Sequence, residues 1–165
     1  MKYQELVDVY SALENTTKRL EKTEIISDFL LKLDSTTLEQ VGLLILGSVF
    51  PAWSDKEIGI GNKLVMQAVG EAVGVTPDKV EDAVRDHGDI GLACISLYAK
   101  KSQTTFFSQP LTIDFVFKSL RKLSEKSGAR STKRKIDIIL EMLSQASASE
   151  AKYLTRTILE ELRIG

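Results

Sequence analysis

The sequence predicts an all-α fold, and three observations lead to this prediction. Apolar residues recur at three- and four-residue spacing along nearly the whole chain. Alternation of polar and apolar residues, which is typical of strands, is absent except in residues 100–107. Capping and helix-breaking residues separate the apolar stripes. We therefore expect a single compact domain, spanning residues 1–165, of about nine helices.

Four stripes predict the helices of the N-terminal half. The third of these begins at Thr36 or Thr37 and stops before Pro51. The fourth is closed by Gly74, because glycine readily adopts the left-handed conformation that ends helices. The four stripes lie in residues 3–13, 20–33, 36–45 and 64–72.

Five further helices are predicted in the C-terminal half. Thr76 before Pro77 is typical of an N-cap followed by proline in the first turn, and Gly88 ends that helix. Thr112 is the expected cap of the seventh helix. The predicted helices lie in residues 77–87, 90–98, 113–120, 131–143 and 151–162.

Composition excludes several classes of protein. The chain has 165 residues, 43% of them hydrophobic, and a net charge of −1. Its one cysteine, Cys94, excludes an internal disulfide framework and a cysteine zinc site. The longest apolar run, residues 41–50, is too short to cross a membrane. We expect a cytoplasmic monomer, or a nuclear one in a eukaryote, with no membrane partner.

Positive charge is concentrated in one segment. Residues 118–135 contain eight basic residues and one acidic residue, Glu125, on a chain that is slightly acidic overall. Such a local excess is an electrostatic feature that a polyanionic partner would explain.

No catalytic set can be assembled from the residues. The single histidine, His87, precedes Gly88 and is expected to be a solvated residue at a helix end. Gly59-Ile60-Gly61 lacks the third glycine of a dinucleotide-binding loop and has no strand before it. We expect Cys94 to be a buried thiol and Trp53 to be a packing anchor. No metal site and no catalytic residue are predicted.

One pattern occurs three times: small or capping residues at a helix start, followed at once by basic side chains. Basic groups in a first turn oppose the helix dipole, and a bound phosphate removes this conflict. Three such sites without a catalytic set favour a nucleic-acid backbone as the ligand. A solvated basic face and a patch for an acidic protein are the alternatives. The segments are Thr16-Thr17-Lys18-Arg19, Gly59-Ile60-Gly61-Asn62-Lys63 and Ser131-Thr132-Lys133-Arg134-Lys135.

Beyond these features, the chain resembles over its whole length the N-terminal DNA-binding domain of archaeal and eukaryotic replicative ATP-dependent DNA ligases. Each matching segment is unspecific alone, but their order and spacing are characteristic. The resemblance rests on Thr16-Thr17-Lys18-Arg19-Leu20-Glu21-Lys22-Thr23-Glu24, Val49-Phe50-Pro51-Ala52-Trp53-Ser54, Glu57-Ile58-Gly59-Ile60-Gly61, Lys101-Ser102-Gln103-Thr104-Thr105 with Pro110-Leu111-Thr112, Lys133-Arg134-Lys135-Ile136, Ser149-Glu150-Ala151-Lys152-Tyr153, Arg156-Thr157 and Leu162-Arg163-Ile164-Gly165.

The resemblance implies a helical domain that holds duplex DNA around a nick, through phosphates and the minor groove. The rest of such a ligase, which uses ATP and Mg²⁺, would then seal the nick during replication, repair and recombination. The family's DNA-facing regions fall on residues 59–63, 131–135 and 162–165; the match at residues 16–22 is less directly tied to DNA. The expected contacts are Thr16, Lys18, Arg19, Gly59, Gly61, Asn62, Lys63, Ser131, Thr132, Lys133, Arg134, Lys135, Arg163 and Gly165.

The chain departs from a complete ligase in one decisive respect. The family's nucleophile is a lysine in a Lys-x-Asp-Gly motif, and no such motif is present. The nearest approach, Lys32-Leu33-Asp34-Ser35, lacks the glycine and follows an amphipathic stripe. We therefore expect a non-catalytic fragment, without a cofactor of its own, whose partners are DNA and the ligase's own catalytic domains.

Two rival hypotheses remain open. Gln103, Phe106 and Phe107 loosely resemble the motif by which replication enzymes dock on a sliding clamp, so the chain could be a protein-interaction module. The alternative for these aromatic residues is packing on the core. The second rival is a complete small transferase, which covalent labelling by ATP would reveal.

Overall fold

The computed structural model describes residues 1–101, 109–125, 128 and 130–165. This part of the chain forms nine helices and contains no strand, which confirms the predicted fold class. The helices are α1 (Tyr3–Glu14), α2 (Arg19–Leu30), α3 (Ser35–Ile45), α4 (Asn62–Val73), α5 (Pro77–His87), α6 (Ile90–Ala99), α7 (Ile113–Glu125), α8 (Ser131–Gln145) and α9 (Ala148–Ile158). None of these helices is long and apolar enough to cross a membrane.

The helix ends follow from local chemistry. Asp34 is the N-cap of α3 and accepts the N–H of Thr37 at 2.9 Å, so α3 begins slightly earlier than the threonines indicated. Ser147 and Glu150 form a capping box at the start of α9. Gly74 and Gly88 end α4 and α5 in the left-handed conformation, as predicted.

The most extensive helix pair is α6 with α9, and α4 packs on α5 and α8. Gly91 of α6 permits the close contact with α9, because a Cβ added there would lie 3.0 Å from the backbone oxygen of Lys152 and 2.6 Å from the guanidinium of Arg156. Helix α3 packs on α7, and α2 packs mainly on α1. One apolar core therefore joins the helices, with α2 at its margin.

A partly buried ionic cluster, in which Asp89 and Arg156 are buried and Glu14 is exposed, joins α1, α6 and α9. Arg156 donates to Asp89 at 2.5 Å and to Glu14 at 3.1 Å. Lys152 and Tyr153 also donate to Glu14, at 2.9 and 2.6 Å. Burial alone would raise the pKa of both carboxyls, but these hydrogen bonds hold each pKa below its usual value. Both basic residues of α9 are thus paired with carboxylates of the protein itself.

Candidate nucleic-acid interface

The loop before α4 is anchored by two buried side chains and is otherwise exposed. Ile58 and Ile60 lie in the core, while Gly59 and Gly61 face solvent. Gly59 has φ +68°, a conformation that favours glycine. Gly61 has an ordinary extended conformation, and a Cβ placed on it would meet nothing within 4 Å. The backbone at Gly61 is therefore open to an approaching ligand.

The N-terminus of helix α4, the positive end of its dipole, has neither a capping side chain nor an acidic residue in the first turn. Its N-cap, Gly61, has no side chain, and the first turn contains no acidic residue. Asn62 and Lys63 are both exposed. The free first-turn N–H groups and the Lys63 ammonium thus point to an anion site.

Helix α8 begins in the same way. Its N-cap, Arg130, provides no hydrogen bond from its side chain, and the first turn again lacks an acidic residue. Thr132, Lys133 and Arg134 are exposed, whereas Ser131 and Lys135 are partly buried. No ion pair within the described residues involves the basic residues of this turn.

Among the nine helices of the described part, α4 and α8 are set apart from the others. Five helices, α1, α2, α5, α7 and α9, carry an acidic residue in the first turn. Two more, α3 and α6, have an aspartate as the N-cap. Only α4 and α8 have neither, and their first turns are basic instead. Neither positive end has an acidic residue in its own cap or first turn.

The two helix starts that lack an acidic residue belong to α4 and α8, which pack on each other. A groove of about 420 Å³ between α4 and α8 brings the first turn of α8 against Gln67 and Glu71 of α4. These two residues lie roughly 8–14 Å along the helix axis from the start of α4. Arg130 also lines this groove, although the sequence did not single it out. The sequence signal was its position directly before Ser131. The lining residues are Gln67, Glu71, Arg130, Thr132, Lys133, Ile136 and Asp137.

The start of α2 differs from the other two. Lys18 pairs with Glu21 at 2.8 Å, and Thr16 donates to the same carboxylate at 2.6 Å. The ammonium and the hydroxyl hold the pKa of Glu21 below its usual value. Arg19 remains exposed. Of the three basic helix starts, α2 therefore has its own local counter-ion.

The C-terminal residues lie against α2. Lys22 donates to the backbone oxygen of Ile164 at 2.8 Å, and Leu162 packs on Gly47 at the end of α3. Arg163 is exposed and pairs with Glu161 at 3.2 Å, and Gly165 has φ +88°. These contacts bring residues 162–165 to the start of α2, but no hydrogen bond or ion pair described here joins them to α4 or α8.

Some basic residues of segment 118–135 contact other groups of the protein, and others that the structure describes are exposed without an ion pair. Lys118 pairs with Asp114 at 2.8 Å. Arg121 donates to the backbone oxygen of Val49 at 2.9 Å and lies over the rings of Phe50 and Phe117. Among the described residues of the segment, Lys122 and the basic residues that begin α8 form no ion pair.

Two single-residue expectations are confirmed and one is wrong. His87 is an exposed residue at the end of α5. Cys94 is a buried thiol, and burial raises its pKa to about 12. Trp53, predicted to be a packing anchor, is 87% exposed. It lies in a turn closed by a hydrogen bond from Ser54 to Pro51, which turns the indole away from the core.

The structure also bears on the remaining candidate sites. Asp34 of the Lys32-Leu33-Asp34-Ser35 segment is the cap of α3, so this segment has a structural role. Within the described residues, no group of histidine, cysteine or carboxylate side chains could hold a metal ion. Gln103, Phe106 and Phe107 lie outside the described residues.

Known proteins resemble the chain over its whole length. The model of a family described as "DNA ligase N terminus" matches residues 2–165. A "DNA ligase" of Methanobrevibacter smithii is 98% identical over all of this chain and 30% of its own length. Similar proteins of the same name in Methanothermobacter thermautotrophicus and Thermococcus onnurineus are 54% and 44% identical, over 99% and 100% of the chain and 29% of their own lengths. The chain thus spans about 30% of the length of the curated relatives that it matches.

Proposed function

This chain belongs to the DNA ligase N-terminus family, and we propose that it is a non-catalytic module, residues 1–165, that holds duplex DNA around a nick. It would bind the phosphates that flank the minor groove, while the rest of the ligase, using ATP and Mg²⁺, seals the break. The chain lacks the Lys-x-Asp-Gly motif, so we assign the chemistry to the rest of the protein. Binding to chromosomal DNA would place the ligase at the nucleoid.

One observation carries this proposal: α4 and α8 begin with basic residues and with no acidic cap or first-turn carboxylate. Each exposed cation in such a turn costs about 0.3–1 kcal/mol against the helix dipole. A phosphate at the helix start reverses the sign of this interaction, because it meets both the N–H groups and the cation. The arrangement is unfavourable without an anion and favourable with one.

A polymeric backbone fits better than a single nucleotide. The start of α8 meets α4 roughly 8–14 Å along the helix axis from the start of α4, so a single phosphate cannot contact both starts but a duplex backbone can. Contacts of this kind fix position without reading bases, so we expect little sequence preference. Arg19 would extend the contact from the start of α2, with Lys18 and Arg163 contributing less because Glu21 and Glu161 already pair with them.

Fluorescence anisotropy with a labelled nicked duplex, competed by intact duplexes of several sequences, tests the proposal. We expect binding at low salt and similar competition by all intact sequences. Absence of binding at low salt would contradict the proposal. Incubation with labelled ATP and Mg²⁺ separates it from the transferase hypothesis, because we expect no covalent AMP on this chain.

Docking on a sliding clamp through Gln103, Phe106 and Phe107 stays a hypothesis from the sequence. Its test is clamp binding by the full-length protein with both phenylalanines changed to alanine. Lost clamp binding with an unchanged circular dichroism spectrum would support docking, and unchanged binding would refute it.

A further inference from the structure

The groove between α4 and α8 contains charges of both signs. Arg130 and Lys133 contribute cations to its lining, and Glu71 and Asp137 contribute carboxylates. All four residues are exposed, and none of them takes part in an ion pair described here. Because direct contact does not neutralise these charges, they act on a charged ligand that enters the groove.

Glu71 lies on the face of α4 that also carries the basic helix start. Lys63, Gln67 and Glu71 follow one another at four-residue spacing and are all exposed, so they form one stripe along α4. At 1.5 Å per residue, Glu71 lies about 12 Å along the axis from Lys63. It shares the groove with Thr132 and Lys133 of the first turn of α8. The carboxylate of Glu71 is thus far from the anion site of α4 and beside that of α8.

The two carboxylates of the groove differ in their neighbours. Asp137 follows Lys133 by four residues on the same helix, a spacing at which opposite charges attract each other. Glu71 has no such neighbour on α4, because the residues three and four positions before and after it are uncharged. The charge of Glu71 is therefore the one that its own helix does not offset.

A phosphate at the start of α8 would meet the Glu71 carboxylate as a like charge. The proposed function places a phosphate against Thr132 and Lys133, in the groove that Glu71 lines. Like charges in one groove repel each other, and the repulsion is stronger where protein replaces part of the water. The attraction of Glu71 for Lys133 acts in the same direction, because the phosphate has to compete with it. A carboxylate at this position therefore lowers the affinity of the α8 site.

We propose that Glu71 limits the affinity of the α8 site for DNA and speeds the release of the duplex. This inference rests on the proposed function and adds to it a residue that opposes binding inside the surface that binds. A ligase that has sealed one nick must leave the duplex before it binds the next nick. Glu71 shortens the lifetime of that complex and takes no part in the chemistry at the strand ends.

The substitution Glu71→Gln in the full-length protein tests this assignment, because glutamine keeps the length and polarity of the side chain and removes its charge. Glu81→Gln, on the exposed side of α5 and outside the groove, is the matched control with the same change in net charge. Anisotropy titrations with a labelled nicked duplex and with the same duplex sealed measure the affinities, without ATP or Mg²⁺. Displacement by excess unlabelled duplex measures the dissociation rates.

We expect Glu71→Gln to bind both duplexes about three- to tenfold more tightly than the parent protein near 50 mM salt. The gain should come mainly from slower dissociation, because changes within one interface act chiefly on the dissociation rate. Near 0.5 M salt the gain should fall below about twofold, since the Debye length is then only about 4 Å. Glu81→Gln should change the affinity by less than about twofold at either salt concentration.

The same substitution in the Lys133→Glu, Arg134→Glu background connects the effect to α8. With the phosphate contact removed, Glu71→Gln should gain less than about twofold. An unchanged or lower affinity of Glu71→Gln, a gain equal to that of Glu81→Gln, or a gain that persists in the α8 background would overturn the proposal. A gain that comes only from faster association would overturn the claim about release. Absence of DNA binding by the parent protein would overturn the proposed function as well, whereas binding without tightening in Glu71→Gln refutes this inference alone.

Discussion

Helices α8 and α9 follow each other in the chain and both carry basic residues, yet they use these residues in opposite ways. Lys152 and Arg156 of α9 are paired with the protein's own carboxylates, Glu14 at the surface and Asp89 in the interior. Lys133 and Arg134 of α8 are exposed, and no ion pair described here involves them. The difference teaches that a basic cluster indicates a ligand only where the fold supplies no counter-ion.

The start of α2 is intermediate between these two cases. Lys18 has a local partner in Glu21, and Lys22 holds the backbone of Ile164, but Arg19 is exposed. The three regions therefore predict a graded series. Changes at α9 should affect stability, changes at α4 and α8 should affect DNA binding, and changes at the start of α2 should affect binding weakly.

The largest effect is expected for Arg156→Met. The change leaves Asp89 buried without its cationic partner, so the free energy of unfolding should fall by about 3–5 kcal/mol. Arg134→Met is the matched control on α8 and should change stability by less than about 0.5 kcal/mol. Urea denaturation measures the free energy of unfolding of both variants. Equal losses in the two variants would contradict the distinction between α8 and α9.

Acid should weaken the same cluster. The folded protein holds the pKa of Glu14 and of Asp89 below the ordinary values of 4.5 and 3.8. The unfolded chain therefore takes up protons first, and stability is lost as pH falls below about 4.5 and through the lower, folded pKa values. Urea midpoints at pH 6, 5, 4 and 3 measure this loss, which should be shallower in Arg156→Met. An equally steep loss in that variant would contradict the assignment.

Reversal of charge at the start of α8 should produce the largest loss of DNA affinity. The double change Lys133→Glu and Arg134→Glu would remove about two phosphate contacts, which corresponds to a loss of about 60-fold near 0.1 M salt. The matched control is Lys79→Glu with Arg85→Glu on the exposed side of α5, which changes the net charge equally. Anisotropy titrations measure both variants. Equal losses would show that total charge, and not the helix start, determines binding.

The two glycines before α4 should separate binding from folding. Gly61→Ala meets nothing within 4 Å and requires no unusual φ, so stability should fall by less than about 1 kcal/mol, the cost of alanine at an N-cap, while DNA affinity falls by about fivefold or more, or about 1 kcal/mol. Gly59→Ala should instead destabilise the fold by about 1–2 kcal/mol because of its φ of +68°. Thermal melting and DNA titration of both variants provide the measurement. Unchanged DNA affinity in Gly61→Ala would remove this loop from the interface.

The smallest effect is expected for Lys18→Glu. Because Glu21 already neutralises Lys18, DNA affinity should fall by less than about threefold, against about eightfold for loss of an unpaired phosphate contact near 0.1 M salt. The same titration measures this variant, with Arg19→Glu as its neighbouring control. A loss as large as that of the α8 variant would place the start of α2 at the centre of the interface.

The features that are encoded locally were predictable from the sequence. Apolar spacing, together with caps such as Ser147 and Gly88, was sufficient for the nine helices of the described part. The three basic helix starts were also visible as local patterns. The difference between them was not predicted, because the pairing of Lys18 with Glu21 depends on side-chain geometry and the contact between Lys22 and Ile164 joins distant segments.

Exposure was the property that the sequence predicted least well. Trp53 was expected to pack inside and Leu20 belongs to the apolar stripe of α2, but both face solvent. Whether an apolar residue meets the core depends on which helices lie beside it, and periodicity alone does not contain this information. The involvement of Arg121 with Val49 and Phe117 was missed for the same reason.

The salt dependence of DNA binding tests the central claim most directly. If the starts of α4 and α8, with Arg19 and Arg163, neutralise about five to seven phosphates, the logarithm of the affinity for a nicked duplex should fall against the logarithm of salt with a slope of about −4 to −6. In Lys133→Glu with Arg134→Glu the slope should be shallower by about 2. An affinity that stays flat between about 50 and 200 mM salt, or an unchanged slope in this variant, would contradict the account.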